Sequence, residues 1–246
     1  MNGKTLLAFI ILCLSLVACN TIQTMLEAGA HAERGYEYMD NGDFEKAISE
    51  FDRAIEIDPE FDIAYMFRGE AYLNKDDYDQ AIADFDRAIE INPEFAWAYG
   101  LRGSAYLYKG DYEQAFADFD RAIEIEPGVT SAIYEYRGLA YLDKGDYEQA
   151  IAEFDQAIEI DPQDADYLHR GIAYVDMGEF DRAIADFDKW ITYNPNDATA
   201  YFFRGVSLLE IGKKQKAISD LERALELGLP TEIQEEADAL LDELSQ

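Results

Sequence analysis

The feature that most constrains this chain is a segment that recurs every 34 residues. "RGEAYLNKDDYDQAIADFDRAIEINPE" begins at Arg68 and "RGSAYLYKGDYEQAFADFDRAIEIEPG" at Arg102. Related segments begin at Arg34, Arg137, Arg170 and, in degenerate form, Arg204. Together the six copies cover about residues 28 to 231, with one extra residue before Arg137 and one fewer before Arg170. A unit this short cannot bury a core alone, so adjacent copies must stack to build one. In copy two, Tyr78, Ala81, Ile82, Phe85, Ala88 and Ile89 recur at helical spacing and form one apolar face, with Asp84, Asp86, Arg87 and Glu90 off it. Gly110 suits the left-handed conformation that ends a helix. Asp111 then suits the cap of the next helix, with Gln114 as a capping-box partner, and Asp77/Gln80 and Asp146/Gln149 repeat the device. Each copy is therefore expected to be a helical hairpin.

The spacing of aromatic and small residues carries a resemblance. Copy two has Tyr65, Gly69, Tyr72, Ala81, Phe85, Ala88 and Pro93 at positions 4, 8, 11, 20, 24, 27 and 32. Copy three repeats them as Tyr99, Gly103, Tyr106, Ala115, Phe119, Ala122 and Pro127. This pattern resembles the tetratricopeptide repeat (TPR). The resemblance implies an all-α fold, a right-handed solenoid of helical hairpins closed by a C-terminal capping helix. The copies then span 28–61, 62–95, 96–129, 130–163, 164–197 and, degenerate, 198–230, with the capping helix at 231–246. Departures are local: His31 stands at position 4 of copy one, Trp190 at position 27 of copy five, and Leu208 and Leu221 replace Tyr and Phe in copy six. After Pro230, Thr231 reads as the cap of a last helix. Its apolar face would be Ile233, Ala237, Leu240, Leu241 and Leu244, covering the exposed end of the array.

One repeated choice departs from the family. Position 7, usually Leu, is Arg in all six copies, and position 23, often Tyr, is always acidic. A partly buried guanidinium is costly unless paired. The expectation is an ion pair inside each hairpin, with Arg68–Asp84, Arg102–Asp118 and Arg137–Glu153 as the central pairs. Position 25, such as Asp86, is the competing acceptor, and an anion-binding arginine ladder is the functional alternative.

The N-terminus makes a separate statement. Lys4 precedes an apolar run from Leu6 to Val17, too short for a spanning helix of about 20 residues. Leu16-Val17-Ala18-Cys19 resembles a bacterial lipobox, which implies a signal peptide over 1–18, lipidation at Cys19 and a short tether over 19–27. Acyl chains anchor by about 0.8 kcal/mol per buried methylene. An ordinary cleaved signal and an uncleaved anchor are the other readings. The chain's two cysteines are Cys13 and Cys19, so cleavage before Cys19 leaves no second thiol and removes redox chemistry from consideration. The expected location is the cell envelope, lipid-anchored outside the cytoplasm.

Fifty-two acids against 20 basic residues give a formal charge of −32, which disfavours nucleic acid and favours neutral or basic partners. The family resemblance implies a groove lined by positions 2, 5, 9, 12 and 13 of each first helix. The candidate contacts are Ile63, Met66, Trp97, Tyr108, Glu135 and Leu168. Trp97 and Tyr108 are the anchor candidates, since aromatic residues dominate interface energetics. Positions 2, 5, 9 and 13 of copies two to five lack Lys and Arg, unlike domains that clamp acidic chaperone tails. No HExxH, GxxxxGK[ST] or GxSxG occurs, and the two histidines fall in different repeats. The expectation is therefore no catalytic residue, no metal and no cofactor. The function expected is a membrane-anchored scaffold that binds an extended protein segment. An envelope assembly factor is the runner-up, and glycan binding through groove aromatics the third reading.

Overall fold

The structure is a computed structural model that describes residues 3–128, 131–163 and 166–244, with side chains described from residue 22 onward, apart from residue 232. The described residues form helices and turns without strands. They fall into two compact units, residues 1–127 and 128–246.

The first unit holds α1 (Gly3–Asp40), α2 (Phe44–Ile57), α3 (Asp62–Leu73), α4 (Tyr78–Ile91), α5 (Ala96–Tyr108) and α6 (Tyr112–Ile125). Consecutive pairs form hairpins, and α2 also packs on α3 and α4 on α5 of the following hairpin. The second unit holds α7 (Ser131–Asp143), α8 (Tyr147–Ile160), α9 (Tyr167–Asp176), α10 (Phe180–Tyr193), α11 (Ala198–Glu210), α12 (Lys214–Leu227) and α13 (Thr231–Leu244) in the same arrangement. Helix α1 runs unbroken through residues 20–27, so the expected tether is helical and rises about 1.5 Å per residue rather than extending. Cys13 and Cys19 have side chains outside the described residues.

One contact explains the small residue at position 8. A Cβ added to Gly69 would lie 2.7 Å from the Phe85 ring, and one added to Gly103 would lie 2.7 Å from Phe119. The five phenylalanines at position 24, Phe51, Phe85, Phe119, Phe154 and Phe187, are fully buried. Each fills the space a side chain at position 8 would need, so the hairpin closes ring against backbone.

The turns between paired helices use the left-handed residue expected: Gly110 has φ of 78°, and Asp76 takes the same region in copy two at 59°. The caps are weaker than expected. Asp77 and Asp111 accept from Gln80 and Gln114 amides at 3.4 Å, while Asp146 makes no side-chain cap bond. Thr231 is not a cap. It is the first helical residue of α13, and the Pro230 carbonyl accepts from the Gln234 amide at 3.0 Å. The Pro230 carbonyl therefore takes the N-cap place, one residue before Thr231. Helix α13 packs Ile233, Ala237, Leu240, Leu241 and Leu244 onto Phe202, Leu221 and Ala224 of the last hairpin, closing that end.

Candidate interaction surfaces and the arginine clamps

Position 7 of the repeat points from the first helix of a hairpin toward its second. Arg68 donates from Nε and Nη2 to both carboxylate oxygens of Asp84, at 2.8 and 2.6 Å. Its remaining nitrogen, Nη1, donates to Asp52 of the preceding hairpin at 2.6 Å. Arg102 repeats the pattern with Asp118 at 2.7 and 2.6 Å and with Asp86 at 2.5 Å. In the second unit, Arg170 holds Asp186 and Asp155, and Arg204 holds Asp220 and Asp188. Arg137 donates from Nε and Nη2 to Glu153, at 2.9 and 2.7 Å. Both acidic positions, 23 and 25, therefore serve one arginine, the first within the hairpin and the second from the hairpin before. Sequence spacing showed the two acceptors; only stacking of hairpins lets a guanidinium reach both.

Each clamp also lies near the ring at position 4: Arg68 is 5.5 Å from the Tyr65 centroid, Arg102 5.4 Å from Tyr99 and Arg204 5.3 Å from Tyr201. Copy one has no ring at position 4. There His31 takes position 4 and joins Arg34 and Glu50 in a three-residue cluster, with His31 Nδ1 2.8 Å and Arg34 Nε 3.0 Å from one Glu50 oxygen.

Burial opposes the charge on Arg68, Arg102 and Arg170, but the hydrogen bonds and charges of their two carboxylates outweigh it and raise each pKa. Burial pushes the Asp84 and Asp118 carboxyls upward, and their arginines pull against that. The partners respond unequally because they sit at different depths. The Asp84 side chain is 8% exposed and that of Arg68 is 19%. The guanidinium, shared between two acids, stays charged.

The first helices present a second surface. Ile63, Met66, Glu70, Leu73 and Asn74 share one face of α3, and Trp97, Gly100, Ser104, Leu107 and Tyr108 share the matching face of α5. Ile63 and Tyr108 are exposed and Trp97 is half-buried. Met66 and Leu168, by contrast, are core residues rather than open contacts. Met66 packs against Ala98, Leu101 and Ala105 of α5, and Leu168 against Ala200 and Phe203 of α11. Position 5 faces the first helix of the next hairpin, which is why it is covered; Glu135 at the same position is half-buried. Tyr108 stacks on Tyr78 at a centroid distance of 5.7 Å, so part of its ring is already engaged.

Tyr36, at position 9 of copy one, joins this surface although it is not among the contacts expected from the sequence. It is 48% exposed and meets the Phe67 ring edge-on at 5.4 Å. Counting position 9 in the first copy would have found it. Position 9 of copy two is Glu70. Its half-buried carboxylate has no hydrogen-bond or ionic partner among the described residues, and burial alone raises its pKa. Among the described residues no cluster of three or more His, Cys, Asp or Glu is placed to hold a metal ion.

A family model for the tetratricopeptide repeat matches residues 33–96, 100–165 and 168–228. The chain belongs to the tetratricopeptide repeat family. As a TPR protein it is a scaffold of the protein-interaction type. Its fold is similar to the Cut9–Hcn1 hetero-tetramer of the APC/C, with 20% identity, a TM-score of 0.79 over 89% of this chain, and 43% of that chain covered. The TPR chain thus spans less than half of that relative's length. It is also similar to PilW, a widely conserved type IV pilus biogenesis factor, at 19% identity and TM-score 0.76 over 84% of this chain and 96% of that one. Pseudomonas aeruginosa pilF superposes with TM-score 0.77 at 17% identity, over 88% of this chain and 99% of that one. No curated protein matches the TPR chain.

Proposed function

We propose that this TPR protein is a lipid-anchored scaffold that holds an extended, neutral or basic protein segment on the face built by α1, α3 and α5. The observation that carries this reading is Glu70. A half-buried carboxylate without a partner is unfavourable, and a lysine, an arginine or a row of backbone N–H groups from a bound segment would relieve it. Tyr36, Ile63 and Trp97 supply apolar contact on the same surface, with Tyr108 at its edge. The anchor rests on the lipobox-like Leu16-Val17-Ala18-Cys19, and the envelope location follows from it. Among the described residues no helix is long and apolar enough to cross a membrane. The attachment proposed is through acyl chains on Cys19.

A photo-crosslinking amino acid at position 36 or 97 tests the surface in cells. Capture of a defined envelope protein, lost when Glu70 becomes Lys, supports it; equal capture from a position on α4 overturns it. Cys19→Ala tests the anchor, since the protein should then leave the membrane fraction while remaining folded. The second reading is an assembly factor of the cell envelope, favoured by the likeness to PilW. Recovery of a single pilus or secretin component, rather than several unrelated partners, would select it.

A further inference from the structure

The protein's last hairpin contains a site that the hairpins of copies one and five fill with their own side chains. In copy one, Lys46 donates to Asp43 at 2.5 Å and lies 5.3 Å from the Tyr38 ring centroid. In copy five, Arg182 donates to Glu179 at 2.7 Å and lies 4.4 Å from the Tyr174 ring centroid. The cation at position 19 thus takes two partners, a carboxylate from position 16 and an aromatic face from position 11. Copy six keeps the cation, Lys216, and removes both partners. Position 16 is Lys213 and position 11 is Leu208.

The missing groups leave space and charge behind. A cavity of about 340 Å³ opens here, with Leu208, Lys213, Lys216 and Ser219 in its wall and the Arg204 clamp beside them. That volume falls in the range of small-ligand sites, which begins at about 300 Å³. Asp188 and Asp220 also line it, but both are taken by Arg204, at 2.6 Å and at 2.7 and 2.8 Å. Lys213 and Lys216 are exposed and have no acidic partner among the described residues. Lys75 and Lys109 at corresponding turns, by contrast, reach Glu45 and Asp79 of the preceding hairpin.

We infer that this cavity binds an aromatic carboxylate. The ring lies over Leu208 against the Lys216 side chain, where Tyr38 and Tyr174 place theirs. The carboxylate sits between Lys213 and Lys216, where Asp43 and Glu179 place theirs. The ligand supplies the two partners that the sequence has deleted, and each is a contact the protein makes elsewhere with its own residues. Such a group comes either from a free small acid or from the terminal aromatic residue of a partner chain.

The test is saturation-transfer NMR on the full chain with phenylacetate, alongside acetate and 4-methylphenol, which carry only one of the two features. Phenylacetate should bind, with transfer to its ring protons. Leu208→Tyr and Lys213→Asp should each weaken it at least tenfold. Both variants install the residue of earlier copies, so the fold is retained, as an unchanged circular dichroism spectrum will verify. Unchanged binding to Leu208→Tyr, or equal binding of 4-methylphenol or acetate, overturns the inference. The peptide Gly-Gly-Phe with a free carboxylate distinguishes the sources. Tighter binding than phenylacetate assigns a partner's terminus, weaker binding a small acid, and absence of binding by both overturns the site.

Discussion

Arg102 and Asp118 face each other across one hairpin, joined by two parallel hydrogen bonds of 2.7 and 2.6 Å, while the third donor of Arg102 reaches Asp86 in the hairpin before. This geometry turns a residue unusual for its position into a link between repeats. Bidentate guanidinium–carboxylate pairs are strong and directional, and sharing one cation between two acids fixes the spacing of adjacent hairpins. Removing one partner leaves the other charge desolvated. Asp118→Ala should destabilise the protein by roughly 2–4 kcal/mol, read as a lower denaturant midpoint. The double variant Arg102→Leu with Asp118→Tyr should recover most of that loss, because a matched apolar pair replaces a buried ionic one.

Gly103→Ala should also destabilise, by about 1–3 kcal/mol, because its Cβ would lie 2.7 Å from the fully buried Phe119 ring. Gly205→Ala should be milder. There the neighbour is Leu221 at 3.1 Å, a smaller and more adaptable side chain. Thermal midpoints of the two variants should differ in that order.

Lys213 occupies the N-cap of α12 without a side-chain cap bond. Lys213→Asp should stabilise by about 1 kcal/mol, since it supplies an acceptor for the free amides and reverses an unfavourable charge at the positive helix end. A raised thermal midpoint at low ionic strength, shrinking with salt, is the expected reading.

Glu70→Gln should raise stability at neutral pH. Burial raises the folded-state pKa of Glu70, so the native state holds its proton more tightly than the unfolded chain. Native stability therefore falls as pH rises from the ordinary carboxylate value near 4.5 through the raised one. The glutamine variant should be more stable above that window and indistinguishable below it, in denaturant titrations at several pH values.

His169 gives a test of the same sign but a different cause. Burial lowers its pKa, but the hydrogen bond and charge of Asp166 outweigh burial and raise it above 6.5. The pair contributes stability below the unfolded value, and this is lost as pH rises through the folded one. Proton NMR should show His169 titrating above 6.5, and Asp166→Asn should bring it down.

By itself the sequence determined the periodic part of this protein. The 34-residue spacing, the small residue at position 8 and the apolar face of each second helix define the hairpins, because helix periodicity and close approach are local properties of the chain. It also showed that each Arg at position 7 needs an acid, and which two positions offer one. Tertiary structure decided the rest, because those outcomes depend on which hairpin packs against which. Stacking brings Asp52 to Arg68 and Asp86 to Arg102, and it covers Met66 and Leu168 with the next first helix. Stacking also leaves Glu70 half-buried, without a side-chain partner among the described residues. The cavity beside Lys213 and Lys216 was legible only as two substitutions in a degenerate copy, Leu208 and Lys213. Its shape appeared when the folded hairpins showed what the missing tyrosine and the missing acid do elsewhere in the same chain.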